Sequence, residues 1–170
     1  MKALCLVAHP DDCVIFAYSY MWHHKHYDWT VAYLTYTQQD PRGTELSQFW
    51  QRRGIETKFL GFEDHWHDNE RQAFTRWNPH DAVNQCLTLA QHYDLVLTHN
   101  SEGDYGHIHH KLIHHAVKSH PRVVVFSPLG QGTTYDLPES AYSLEELPLH
   151  SEIIYSFHRF QHRNSYEDLT

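Results

Sequence analysis

Short, almost wholly apolar runs alternate along this chain with longer stretches in which apolar side chains recur every three or four positions. The runs at 2–8, 94–99 and 122–127 are near-continuous in Val, Leu and Ala, as expected of strands covered on both faces. Residues 29–37 and 57–61 supply two further strand candidates. Helical periodicity falls at 11–25, 44–54, 78–92 and 107–120. The third of these is well punctuated, with Asn78 as N-cap, Pro79 in the first helical position and Ala82, Val83, Cys86, Leu89 and Ala90 on one face. Pro121 ends the fourth. Strand–helix alternation of this kind predicts an α/β fold. The expectation is a Rossmann-like three-layer α/β/α architecture, its sheet mostly parallel with about five strands. The site then belongs at the carboxyl ends of strands one and four.

The periodicity fades in two places. Residues 60–77 are rich in Asp, His and Trp and read as a long loop. Beyond residue 127 the pattern is weaker: 144–149 has apolar character, 152–157 suits a strand or a short helix, and the last residues look frayed. A length of 170 residues fits one domain. The formal charge of −8 disfavours binding to a nucleic-acid backbone, which is held chiefly by Lys and Arg. No apolar run approaches the roughly 20 residues of a membrane helix, so no membrane segment is expected. The start resembles a stunted signal peptide but continues into His9-Pro10-Asp11-Asp12 where a cleavage site would stand, so it reads as a strand. Three cysteines without Cys-x-x-Cys spacing suggest reduced thiols and a cytoplasmic protein.

Histidine changes the picture, with 18 in 170 residues. Imidazole is the commonest metal ligand, yet such abundance also produces accidental pairs. About two His-x-x-His pairs arise by chance at this frequency, and two occur, His107/His110 and His23/His26. Spacing by itself therefore argues little, and His23, His24 and His26 suit a surface helix end. Topology argues more. His9, Asp11 and Asp12 directly follow the first strand, and Asp104 to His110 follow the fourth. In a 3-2-1-4-5 sheet these two strands are neighbours at the switch point. His9, Asp12 and His110 then offer two imidazoles and a carboxylate with an open position, a set that suits catalytic zinc and that Fe(II) can also use. The plainer alternative is that an Asp caps the first helix and His9 is a turn residue.

Taken together, Ala8-His9-Pro10-Asp11-Asp12 and the segment from Thr98 to His110, with Arg42-Gly43-Thr44-Glu45 as a weaker match, resemble the PIG-L/LmbE-like family of zinc-dependent N-acetylglucosaminyl deacetylases. The likeness covers roughly residues 2–127 and leaves 127–170 weakly matched within the single expected domain. It implies His9, Asp12 and His110 as zinc ligands and Asp11 as general base. It further implies Tyr105 as an aid to the tetrahedral intermediate and His107 as the non-ligand histidine of the site. Arg42 would contact substrate, with Glu45 supporting it. The implied activity is removal of an N-acetyl group from an amino sugar or sugar conjugate. Alternatives are hydrolysis of another small-molecule amide, or metal or sugar binding without turnover. Two positions depart from the family pattern: Cys13 follows the paired Asp where many relatives carry Glu, and His109 stands where relatives commonly carry Asp. The chain is also short, so a substrate wall could come from a second copy in a homo-oligomer. Phe62, Trp66 and Trp77 are candidate sugar-stacking or packing aromatics, and Asp64, His65, His67 and Asp68 a further candidate metal group.

Overall fold

The computed structural model describes residues 1–64, 76–128, 131–141 and 163–170. The chain runs β1 (Lys2–Val7), a π-helical turn (Cys13–Ala17), α1 (Tyr18–His23), β2 (Asp28–Thr35), α2 (Pro41–Gln51), β3 (Glu56–Phe62), α3 (Pro79–Ala90), β4 (Leu95–Thr98), α4 (Ile108–Val117), β5 (Val123–Ser127) and β6 (Thr133–Asp136). A 3₁₀ turn (Glu139–Ala141) and β7 (Arg163–Asp168) follow. The strands form one sheet in the order β3-β2-β1-β4-β5-β7-β6. The first five of these are parallel, in the expected 3-2-1-4-5 arrangement, and β7 and β6 add an antiparallel edge.

Alternation along β1 shows why the sheet is covered on both faces. Ala3, Cys5 and Val7 pack into one core with Tyr18, Met21, Leu46, Phe49 and Trp50. Leu4, Leu6 and Ala8 pack into the other with Ala82 and Cys86 of α3 and Ile113 and Val117 of α4. Helices thus flank a central sheet, and the parallel pairs β1–β2 and β1–β4 place the ends of β1 and β4 side by side.

Three expectations need correction. The sheet has seven strands, not about five, because β6 and β7 are polar sequences whose pairing partners are distant in the chain. The end of the chain is not frayed: Tyr166 on β7 is buried, and its hydroxyl bonds Ser19 Oγ at 2.7 Å and accepts from Tyr20 N–H at 3.3 Å. The first helix is two pieces. Asp11 O accepts from both Val14 and Ile15 N–H at 3.0 Å, and the π-helical turn this opens precedes the short α1. Residues 144–149 and 152–157, and most of the 60–77 loop, lie outside the described residues. No described helix is long and apolar enough to cross a membrane.

Candidate metal centre

The turn after β1 folds the first motif onto itself. His9 N–H donates to Asp12 Oδ2 at 2.8 Å, so the Asp12 carboxylate turns back toward His9 and makes no side-chain cap on the helix that follows. His110 arrives from the first turn of α4. The three donor atoms form a nearly equilateral triangle, with His9 Nδ1 to Asp12 Oδ2 at 3.2 Å, His110 Nε2 to Asp12 Oδ2 at 3.2 Å and His9 Nδ1 to His110 Nε2 at 3.3 Å. A tetrahedral ion with bonds of about 2.0–2.1 Å holds its ligands roughly 3.3 Å apart. The set therefore fits a divalent transition metal by both spacing and donor type. All three residues are buried.

Each of the two histidines meets a carboxylate through its other nitrogen. His110 Nδ1 bonds Asp104 Oδ2 at 2.8 Å, and His9 Nε2 faces Asp64 Oδ1 at 3.4 Å. Such contacts fix ring orientation and raise ligand basicity. Asp104 occupies the left-handed region at φ 63° and also bonds His99 Nδ1. His99 in turn accepts from Ala8 N–H at 3.1 Å through Nε2, which assigns its proton to Nδ1, facing Asp104. Its ring stacks on His110 with centroids 3.7 Å apart. These interactions make Asp104, His99 and Asp64 supports of the centre. The first two lie inside the second motif, and Asp64 opens the Asp/His/Trp-rich loop, but no spacing in the sequence gave them these partners.

Asp11 sits beside the triangle and outside it. Its Oδ1 lies 3.4 Å from Arg42 Nη2. Burial raises the Asp11 pKa, the Asp12 charge raises it further, and Arg42 and His9 oppose them. Asp12 shows the reverse balance: burial would raise it, but His110 and His9 hold it well below the usual carboxylate range. Arg42, in the first turn of α2, also donates through Nη1 to Tyr36 Oη at 3.0 Å, and the Tyr36 hydroxyl donates to Asp64 Oδ2 at 3.0 Å. A chain of contacts thus joins Asp11 to His9 by way of Arg42, Tyr36 and Asp64. The expected support of Arg42 by Glu45 is not seen: Glu45 Oε2 is buried with no hydrogen-bond partner among the described residues.

His107 and Tyr105 flank the opening. His107 caps α4, its Nδ1 accepting from His109 N–H at 3.2 Å. Burial and the neighbouring histidines bring its pKa down to about 3. Tyr105 is 64% exposed, 5.2 Å from the His110 ring between centroids, and its hydroxyl is pushed above the usual phenol range by partial burial and by Asp12 and Asp11. Cys13 fills a buried slot, its Sγ 3.0 Å from Tyr33 Oη and accepting from Trp50 Nε1 at 3.3 Å, and burial raises the thiol to about 12. Trp77 packs on Phe62 and on the His109 ring, whereas Trp66, His65, His67 and Asp68 lie outside the described residues. A cavity of about 520 Å³ opens onto the centre, its lining combining Asp11, Asp12 and Asp104 with the apolar Ile15, Phe16, Phe126 and Pro128.

The family model for GlcNAc-PI de-N-acetylase (PIG-L) matches residues 4–120, a span that contains every one of these site residues except Phe126 and Pro128 of the cavity lining. The chain belongs to the PIG-L family. Among curated proteins, none matches significantly. Similar solved structures include the 4-carboxy-2-hydroxymuconate hydratase GalB of Pseudomonas putida, at 14% identity and TM-score 0.71, covering 100% of this chain and 97% of that one. The N,N'-diacetylchitobiose deacetylase of Pyrococcus horikoshii is 12% identical at TM-score 0.65, covering 99% and 83%. A deacetylase of teicoplanin biosynthesis is 13% identical at TM-score 0.61, covering 92% and 85%. At these identities the structures show a shared PIG-L/LmbE-like fold, and that fold carries both deacetylases and a hydratase.

Proposed function

We propose that this PIG-L family member is a metal-dependent N-deacetylase, with Zn²⁺ (or Fe²⁺) held by His9, Asp12 and His110, acting on an N-acetylated amino sugar or a conjugate of one. The observation that carries this reading is the place of Asp11, next to a metal-sized donor triangle, facing the cavity, and bonded to Arg42 and not to the triangle. A zinc-type cation supplies acidified water, with a pKa of about 7, and polarises a carbonyl. Asp11 takes a proton from the attacking water, and its raised proton affinity suits that task. Tyr105 stays protonated at the rim and donates to the oxyanion, an interaction typically worth about 3–4 kcal/mol. The departing amine needs a proton. No carboxylate stands at position 109 to charge His107, so Asp11 returns the proton it took.

The test is acetate release from a panel of acetamido sugars. Asp11→Ala should lower turnover about 100- to 10,000-fold with bound metal unchanged, and chelation should abolish activity until metal is restored. Retained activity in Asp11→Ala overturns the base assignment. Bound metal without acetate release by the unaltered protein supports the non-catalytic alternative.

A further inference from the structure

Tyr36, the first residue after β2, holds a backbone conformation that its residue type rarely adopts. Its φ is 66°, and among the described residues the other non-glycine with positive φ is Asp104, already a support of the centre. A bulky side chain at such a φ is strained and persists only where its surroundings fix it. They do so here on both sides. Thr35 donates to Ala8 O through its N–H at 3.0 Å and its hydroxyl at 2.7 Å, and Tyr36 N–H donates to Phe62 O at 3.2 Å. Thr37 donates to Asp40 Oδ2 through its N–H at 2.6 Å and its hydroxyl at 2.8 Å.

The ring held in this way ends in one hydroxyl with two partners. Arg42 Nη1 can only donate, so the Tyr36 oxygen accepts that bond at 3.0 Å, and its single proton goes to Asp64 Oδ2, also at 3.0 Å. Burial and the Asp64 charge raise the hydroxyl above the usual phenol range, so it keeps that proton. Each partner reaches one step further. Arg42 Nη2 lies 3.4 Å from Asp11 Oδ1, and Asp64 Oδ1 faces His9 Nε2 at 3.4 Å. His109 Nδ1 lies 3.3 Å from the same Nε2, but a carboxylate is the stronger acceptor wherever it is held within reach. The Asp64 side chain is 26% exposed, so a fixed partner decides whether it is held there. We propose that Tyr36 is a positioning residue, its one hydroxyl holding Arg42 against Asp11 and Asp64 against His9, so that the base and a metal ligand are set together. This role rests on Asp11 being the base and His9 a ligand. It requires no contact between Tyr36 and the substrate.

Tyr36→Phe removes the hydroxyl and keeps the ring, whose centroid lies 5.2 Å from the Arg42 guanidinium carbon. With an acetamido sugar that the unaltered protein turns over, kcat should fall about tenfold while KM stays within about twofold. Zinc affinity, measured by chelator competition without substrate, should fall about three- to tenfold. Because Tyr36 acts through its partners, the losses should not add. Tyr36→Phe combined with Arg42→Lys should be no slower than Arg42→Lys alone, and combined with Asp64→Asn should bind zinc no more weakly than Asp64→Asn alone. Tyr36→Asn lacks the phenol and suits the left-handed backbone, so it should show the same losses and guards against misfolding of the first variant. An unchanged kcat, an unchanged zinc affinity or fully additive losses overturn the joint role, and a rise in KM alone makes Tyr36 a substrate contact instead. Absence of acetate release by the unaltered protein overturns the proposed activity by itself, and the zinc measurements then decide whether Tyr36 positions Asp64. Absence of zinc binding by the unaltered protein overturns the centre and this role with it.

Discussion

Asp104 carries more of the centre than its place in the sequence suggests. Its Oδ2 meets both His110 Nδ1 and His99 Nδ1, and its Oδ1 is buried with no hydrogen-bond partner among the described residues. Burial opposes its ionisation, but His99 and His110 outweigh that and lower its pKa. Asp104→Asn keeps the shape and tolerates the left-handed backbone, so the fold should survive. Removing the charge that orients His110 should weaken metal binding about 10- to 100-fold. Competition with a chromophoric chelator measures this, and unchanged affinity would show that His110 needs no carboxylate. Arg42 makes a parallel case one step out. Its guanidinium reaches Asp11 through Nη2 and Tyr36 through Nη1, and a Lys ammonium cannot span both with a planar fork. Arg42→Lys should therefore lower turnover and leave metal content unchanged.

At the level of elements, the approach of α2 to the end of β2 decides where Arg42 points. A Cβ on Gly43 would lie 2.0 Å from the backbone oxygen of Thr37, a contact that only backbone movement could relieve. Gly43→Ala should cost about 1–3 kcal/mol of stability and should reduce turnover by displacing the first turn of α2. Urea unfolding beside an acetate-release assay reads both, and a neutral result in each would mean that α2 can shift freely. Farther along the helix, Trp50 is wholly buried and donates to Tyr33 Oη on β2 at 2.9 Å. Its indole fixes the other end of the same helix. The π-helical turn follows directly on the first motif, with Asp11 O accepting from Val14 and Ile15 N–H, and so fixes where the motif ends before α1 begins. Wide turns of this kind within helices frequently mark functional sites.

Across the whole molecule, proton and metal compete for one buried cluster. Burial favours neutral His9, but the charges of Asp12 and Asp64 outweigh it and raise the pKa to about 10. An unfolded His titrates near 6.5. Stabilisation from this charge is thus complete below about 6.5 and is lost as pH rises toward 10. Metal-free protein should become progressively easier to unfold in urea across that window, and metal-loaded protein should not, because the cation takes the place of the proton. A flat profile for the metal-free form would contradict the coupling. Much of this was readable from the residues. Apolar runs marked all five parallel strands to within about two residues, and two motifs at strand ends named His9, Asp12 and His110, since periodicity and turn chemistry are local properties. The edge strands β6 and β7 were not readable, because polar segments become strands only when a distant partner offers its edge. Nor were the roles of Asp64, His99 and Asp104, as eighteen histidines and many acids permit far more pairings than a chain can make. The sequence by itself marked the five parallel strands and brought His9, Asp12 and His110 forward as candidate ligands. Only the tertiary structure decided which nitrogen of each ring faces which carboxylate, because that depends on segments about a hundred residues apart meeting at the ends of β1 and β4.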